Sequence, residues 1–191
     1  DLIQKRGIAP GDRVLMTKAV AVEGTAIIAA EFGDLLLEKG MSRAQVDGCG
    51  AFQSMLSILP EARLAWQNSG VTALHDVTEG GIATALAELS QAGGRGMRIR
   101  RDAIPIYAQT RRMADLLGID PLGLIGSGSL LICCRPECVQ QLVAEVGGNG
   151  IPITDIGEVT DQAPGIAAPD GGDALPFPVF AVDEITRLYR G

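Results

Sequence analysis

Apolar residues recur at helical spacing over several stretches of the chain, with compact apolar runs between them that mark strands. Ile27, Ile28, Phe32, Leu35 and Leu36 predict a helix over 24–38, ended by Gly40. Ser42 with Gln45 forms a capping-box pattern before a helix carrying Val46, Cys49, Met55 and Leu56, and Pro60 suits the first turn of a short helix ending near Gly70. Ile82, Ala85, Leu86 and Leu89 predict a helix from Gly80 to the Gly93-Gly94 stop. A further helix is predicted over 107–117, and Pro136 opens one with Val139, Leu142, Val143 and Val146 on one face. Strands are predicted over 13–20, 71–77, 97–100, 129–134 and 153–159. Residues 161–173, rich in Pro, Gly, Ala and Asp, read as a loop or hairpin connection. An edge strand is expected over 177–182, with Pro176 and Pro178 counting against it.

Strands and helices interleave irregularly and two strands follow each other late in the chain, so the expected class is α+β, a mixed sheet covered by helices. With 191 residues and 47% hydrophobic content, the whole of 1–191 is expected to form one domain. The sequence has neither an apolar run near the roughly 18–20 residues of a membrane helix nor an opening signal sequence, which points to a cytoplasmic protein without membrane partners. A net charge of −7 argues against nucleic acid as a partner but allows a single nucleotide at a local site. Cys49, Cys133, Cys134 and Cys138 include no C-x-x-C pair and, with His75 the one histidine, match no metal-site spacing, so they read as reduced and mostly buried. Adjacent Cys133 and Cys134 should face opposite sides of a strand.

The stretch of densest chemistry is Leu74-His75-Asp76-Val77-Thr78-Glu79-Gly80-Gly81-Ile82, which turns a strand directly into an amphipathic helix. Glycines at a helix start leave backbone N–H groups open to a phosphate, and the helix dipole favours an anion there. Thr78 is placed to cap the turn. Asp76, at the strand end, could orient a substrate or hold a metal-bound phosphate, and His75 could serve as an acid or base. The plainer alternative is a strand-to-helix turn that needs glycine for its backbone alone, with Asp76 and His75 satisfying local donors and acceptors.

These residues occur in an ordered series: Pro10-Gly11-Asp12-Arg13-Val14, then Val22-Glu23-Gly24-Thr25-Ala26, His75-Asp76-Val77-Thr78-Glu79-Gly80-Gly81, Ile104-Pro105-Ile106, Leu117-Gly118-Ile119-Asp120-Pro121-Leu122, and Ile156-Gly157-Glu158-Val159. The series resembles the C-terminal domain of the AIR synthase superfamily, whose members include PurM, PurL, thiamine-monophosphate kinase, selenophosphate synthetase and HypE. It is most similar to HypE-like, AIR synthase-related proteins of hydrogenase maturation.

The resemblance implies a PurM C-terminal-domain fold, a layered α/β/α arrangement around a mixed sheet. It implies a longer parent protein whose N-terminal domain binds ATP and Mg²⁺, and the opening on Asp1 without methionine is expected of such a C-terminal piece. In that reading the domain closes the nucleotide cleft. Asp76 and His75 are then the candidate catalytic residues, and Thr78, Gly80, Gly81, Glu23 and Gly24 the cofactor contacts. No residue is assigned to metal. The parent is expected to phosphorylate an amide or carboxyl-type oxygen of a small-molecule or protein-borne substrate, and to be a homodimer.

Three positions depart from the HypE pattern. Glu79 stands where arginine is usual, Gly126-Ser127-Gly128-Ser129 stands for Asn-Glu-Gly-Lys, and the chain ends Leu188-Tyr189-Arg190-Gly191 without a cysteine. They leave open a non-catalytic domain that senses nucleotide or assists assembly on the same scaffold.

Overall fold

Alternation along β1 (Arg13–Thr17) sets the layering. Val14 and Met16 enter one apolar cluster and Leu15 a second, and all three are fully buried, as in a strand covered on both faces. A computed structural model describes residues 5–170 and 173–189. Among these residues a seven-stranded sheet runs in the order β2 (Val71–Asp76), β4 (Leu130–Cys134), β1, β5 (Ile153–Val159), β3 (Gly96–Ile99), β6 (Gly165–Asp170), β7 (Asp173–Pro176). Neighbours are antiparallel except β3 and β6, which pair in parallel, so the sheet is mixed as expected.

Helices α1 (Val22–Glu31), α2 (Gly33–Glu38), α3 (Arg43–Gly50), α5 (Gly81–Gly93) and α6 (Ala108–Leu117) belong to the first layer. Ile28, Leu36, Val46, Leu86 and Met113 join the cluster of Val14, Met16 and Cys133. Helices α4 (Leu59–Gln67) and α7 (Val139–Gly148) form the second layer, setting Ala65, Leu142 and Val146 against Leu15, Ile132 and Cys134. Cys133 and Cys134 therefore do face opposite layers. Each fully buried aliphatic side chain contributes on the order of 1.5–3 kcal/mol. On the face shared with Leu15, Arg13 makes a two-pronged contact with Asp155 at 2.9 and 2.8 Å, and Glu158 bridges Arg13 and Arg98. Among the described residues no helix is long and apolar enough to cross a membrane.

The capping box before α3 forms in full, with Ser42 and Gln45 exchanging hydrogen bonds. Other expectations need correction. The helix over 24–38 is two helices broken at Phe32, whose φ of −118° leaves the helical range. Gly33 lowers helix propensity there, and the Phe32 ring packs edge-on against Tyr189 at 5.1 Å. Helix α3 ends at Gly50, and the following 3-10 turn Ala51–Met55 carries Met55. The strand over 13–20 stops at Thr17, because Lys18 takes a left-handed φ of 54° that leaves the ladder. Of the two forms allowed for 161–173, the hairpin is realised, with β6 and β7 as its arms. The edge strand is β7, and 177–182 runs outside the sheet.

Candidate functional site

Antiparallel pairing brings three connections to one end of the sheet. Asp76, the last residue of β2, pairs with Leu130 at the start of β4, and Met16 near the end of β1 pairs with Leu131. The 77–81 turn, the 18–23 link into α1 and the 123–129 loop are therefore neighbours. Backbone bonds join them: Val77 N–H to Ser129 O at 3.1 Å, Gly126 N–H to Thr78 O at 3.2 Å, and Gly24 N–H to Ile125 O at 2.9 Å. Ser129 Oγ also donates to Ala19 O at 2.5 Å.

Glycine is required here for geometry as well as access. Gly80 and Gly81 both take left-handed φ, 75° and 62°, where a side chain is strained. A Cβ on Gly81 would lie 2.6 Å from Leu122 O and 2.7 Å from Leu124 O. On Gly24 it would meet Ile125 O at 2.9 Å. The turn, α1 and the 123–129 loop pack backbone to backbone.

The predicted site residues divide into two groups. Asp76, Thr78, Gly80, Gly81, Glu23 and Gly24 surround the 123–129 loop. Asp76 is exposed at the end of β2. Glu23, in the first turn of α1, keeps one carboxylate oxygen buried and without a partner. His75 lies on the far side of its strand from Leu74, 6% exposed and turned to α5. Its Nδ1 is 2.9 Å from Lys5 Nζ and its Nε2 2.9 Å from Glu88 Oε2. The Lys5 ammonium has no lone pair, so it donates to Nδ1, and Nε2 carries the hydrogen donated to Glu88. Both ring nitrogens are thereby engaged.

Two local expectations are corrected. Thr78 does not cap α5 with its side chain. Gly80 is the N-cap, and the Thr78 carbonyl instead accepts from Gly81 N–H at 3.1 Å as well as from Gly126. The glycine N–H groups do not stand open either: Gly80 N–H donates to Asp183 Oδ2 at 2.7 Å. The reason is an internal anion. Asp183 is 5% exposed and also accepts from Ile185 N–H at 2.9 Å, while Glu184 accepts from Asp120 N–H at 2.9 Å.

Asp183 and Lys18 are the site-shaping residues that sequence reasoning missed. Asp183 lies in an irregular segment with no periodicity, and Lys18 falls within a predicted strand. The four cysteines are free, and burial pushes the Cys134 thiol up to about 11. Among the described residues no group of three or more His, Cys, Asp and Glu could hold a metal ion. Glu23, Asp76, Glu79 and Asp183 make this end of the sheet acidic, so a phosphate approaching it needs an accompanying cation.

A mixed sheet between helical layers, with a double-glycine turn sealed against a return loop beside carboxylates, defines a domain that presents backbone and carboxylate groups along one sheet end. The chain belongs to the AIR synthase related protein, C-terminal domain family, whose model matches residues 9–167. It is 32% identical over 164 residues to the carbamoyl dehydratase HypE of Cupriavidus necator, covering 84% of this chain and 44% of that protein. The crystal structure of E. coli HypE superposes with a TM-score of 0.77 at 24% identity, covering 96% of this chain and 54% of that one. A HypE solved in complex with ATP gives a TM-score of 0.68 at 18% identity, covering 95% of this chain and 54% of that one. At those identities the two structures show a common fold. The chain spans about half, or less, of the length of the relatives it matches.

Proposed function

We propose that this chain works as the C-terminal half of a longer HypE-like protein that spends ATP to activate an amide or carboxyl-type oxygen, and that this domain closes the cleft over phosphate and substrate. Moving the γ-phosphoryl group onto that oxygen makes it a leaving group, after which a nitrogen nucleophile adds or the group dehydrates. The observation that carries the reading is the unpartnered, buried carboxylate oxygen of Glu23 beside the 123–129 loop. A buried carboxylate oxygen without a donor is costly, and a ligand N–H or a cation would satisfy it. The ATP-bound HypE aligned over 95% of this chain supports nucleotide use.

Mg²⁺ at this end of the sheet would be held as that ion usually is, by one or two carboxylates together with substrate phosphates. Glu23 and Asp76 are the residues that would hold it. Bound there, it would supply charge neutralisation to the phosphates. Asp76 orients the substrate at the exposed end of β2, Thr78 contributes its free hydroxyl, and Gly80, Gly81 and Gly24 let the backbone approach closely. His75, with both nitrogens engaged, fixes β2 to α5 next to Asp76 rather than exchanging protons with a substrate. The missing half would be an N-terminal nucleotide-binding domain, the assembly a cytoplasmic homodimer, and the substrate a small molecule or a protein-borne group.

The experiment is ADP release by the longer protein with Mg·ATP, with and without amide- or carbamoyl-bearing co-substrates. Turnover that requires such a co-substrate supports the reading. Nucleotide binding without turnover on any of them favours a sensing or assembly domain, the role that Glu79 and Ser127 leave open.

A further inference from the structure

Lys18, the residue after β1, takes a left-handed conformation, φ 54°, and its side chain turns inward. The ammonium donates to the carbonyl oxygens of Met55 at 2.9 Å, Ser57 at 2.8 Å and Gly128 at 2.8 Å, and pairs with Glu61 Oε1 at 2.8 Å. Glu61 is fully buried, accepts from Thr17 Oγ1 at 3.2 Å, and keeps its second carboxylate oxygen buried without a partner. Three main-chain carbonyls and one carboxylate converging on a point make a set of oxygens with one negative charge. Rings of carbonyls replace the hydration shell of a large monovalent cation in this manner. The separations exceed the roughly 2.3–2.6 Å that Ca²⁺ takes with oxygen. We propose that these four oxygens form a monovalent-cation site which the chain fills with its own Lys18 ammonium, and that filling it positions the 126–129 loop at the candidate site.

The positioning follows from connectivity. Gly128 O is tied to Lys18, Ser129 Oγ to Ala19 O, and Gly126 N–H to Thr78 O. The ammonium thus anchors the loop on which the 77–81 turn rests. Met55 and Ser57 come from the segment entering α4, so the same charge joins both helical layers at this sheet end. A glycine at 18 would keep the left-handed backbone without strain while emptying the cage. Lys18→Gly therefore isolates the side chain's role.

Neither of the following tests uses nucleotide, so their outcome is separate from that of the ATP reading. In the first, Lys18→Gly in the full chain is melted in potassium, ammonium, lithium and choline chlorides at equal ionic strength. The proposal expects a melting temperature lowered by about 5 °C or more in choline, with at least half the loss recovered in a saturable way by potassium or ammonium and not by lithium. Equal response to every salt, no loss, or a chain unfolded in all four overturns the cation site. In the second, amide hydrogen exchange follows the Lys18→Met, Glu61→Leu double variant, which removes both charges without leaving one buried alone. Protection should fall at least tenfold in 126–130 and stay unchanged in α7. Wild-type protection of that loop overturns the positioning role.

Discussion

The carboxylate of Asp183 accepts the N–H of Gly80 at 2.7 Å, joining residues 103 positions apart in sequence. An acid from the C-terminal segment thus sits on the turn that sequence reasoning assigned to a phosphate. Asp183→Ala should cost about 1–3 kcal/mol, because it strands the buried N–H groups of Gly80 and Ile185. At about 2–4 °C per kcal/mol for a chain of this size, thermal unfolding reads the loss directly. Inorganic phosphate should raise the variant's melting temperature more than that of the wild type, since an external anion can take the vacated place.

Gly81 and Gly94 share a left-handed φ, 62° and 66°, but differ in their surroundings. A Cβ on Gly94 meets nothing within 4 Å, whereas on Gly81 it meets two carbonyls below 3.0 Å. Gly94→Ala should cost only the conformational term, about 1–2 kcal/mol. Gly81→Ala adds displacement of the 122–124 backbone and should cost about 3 kcal/mol or more. Paired denaturant melts measure the difference.

His75 and Asp76 are adjacent, yet their substitutions should separate stability from binding. His75→Ala removes the bridge between Lys5 and Glu88 and should lower stability by about 1–3 kcal/mol, with Mg·ATP affinity of the longer protein changed less than twofold. Asp76→Asn, exposed at the strand end, should leave stability within about 0.5 kcal/mol and weaken Mg·ATP binding. Melts and titrations on the same two variants check both halves.

Burial raises the Cys134 thiol from 9.0 to about 11, with nearby charges on Cys138, Asp12 and Glu137 adding to the effect. Below pH 9 the thiol is protonated in both folded and unfolded chains, and its contribution is fully present. Between pH 9 and 11 the unfolded chain releases the proton while the folded chain keeps it, so stability falls as pH rises. The loss from this group should be about 2 kcal/mol. Cys133, buried on the opposite face, shifts in the same direction. Cys134→Val should flatten part of the alkaline slope in urea melts taken from pH 8 to 11.

Most elements were legible because their apolar spacing is set by burial, as with Leu15 against Val14 and Met16, or Leu142 and Val146 on α7. The break at Phe32 was not, since Gly33 alone is a weak signal and the ring contact with Tyr189 lies far along the sequence. The end of β1 was missed for a similar reason: Lys18 looks like any strand residue until Met55, Ser57, Glu61 and Gly128 surround it. The 177–182 segment misled through its apolar content: Phe177 is buried and Phe180 lies against Gly123, while Val179 and Val182 are exposed. At the site, the Val22–Ala26 and His75–Gly81 motifs fall on connections that adjoin at one sheet end. They could not show that Gly80 already holds a carboxylate, because Asp183 carries no local pattern.

If the carboxylates around the 123–129 loop belong to a nucleotide-using site, Mg·ATP binding depends on them. Calorimetric titration of Mg·ATP into the longer protein that carries this domain, beside its Glu23→Gln, Asp76→Asn double variant, tests it most directly. Micromolar binding is expected, weakened at least tenfold, about 1.4 kcal/mol, in the folded double variant. Equal affinity in the two proteins, or no binding by a folded wild type, would contradict it.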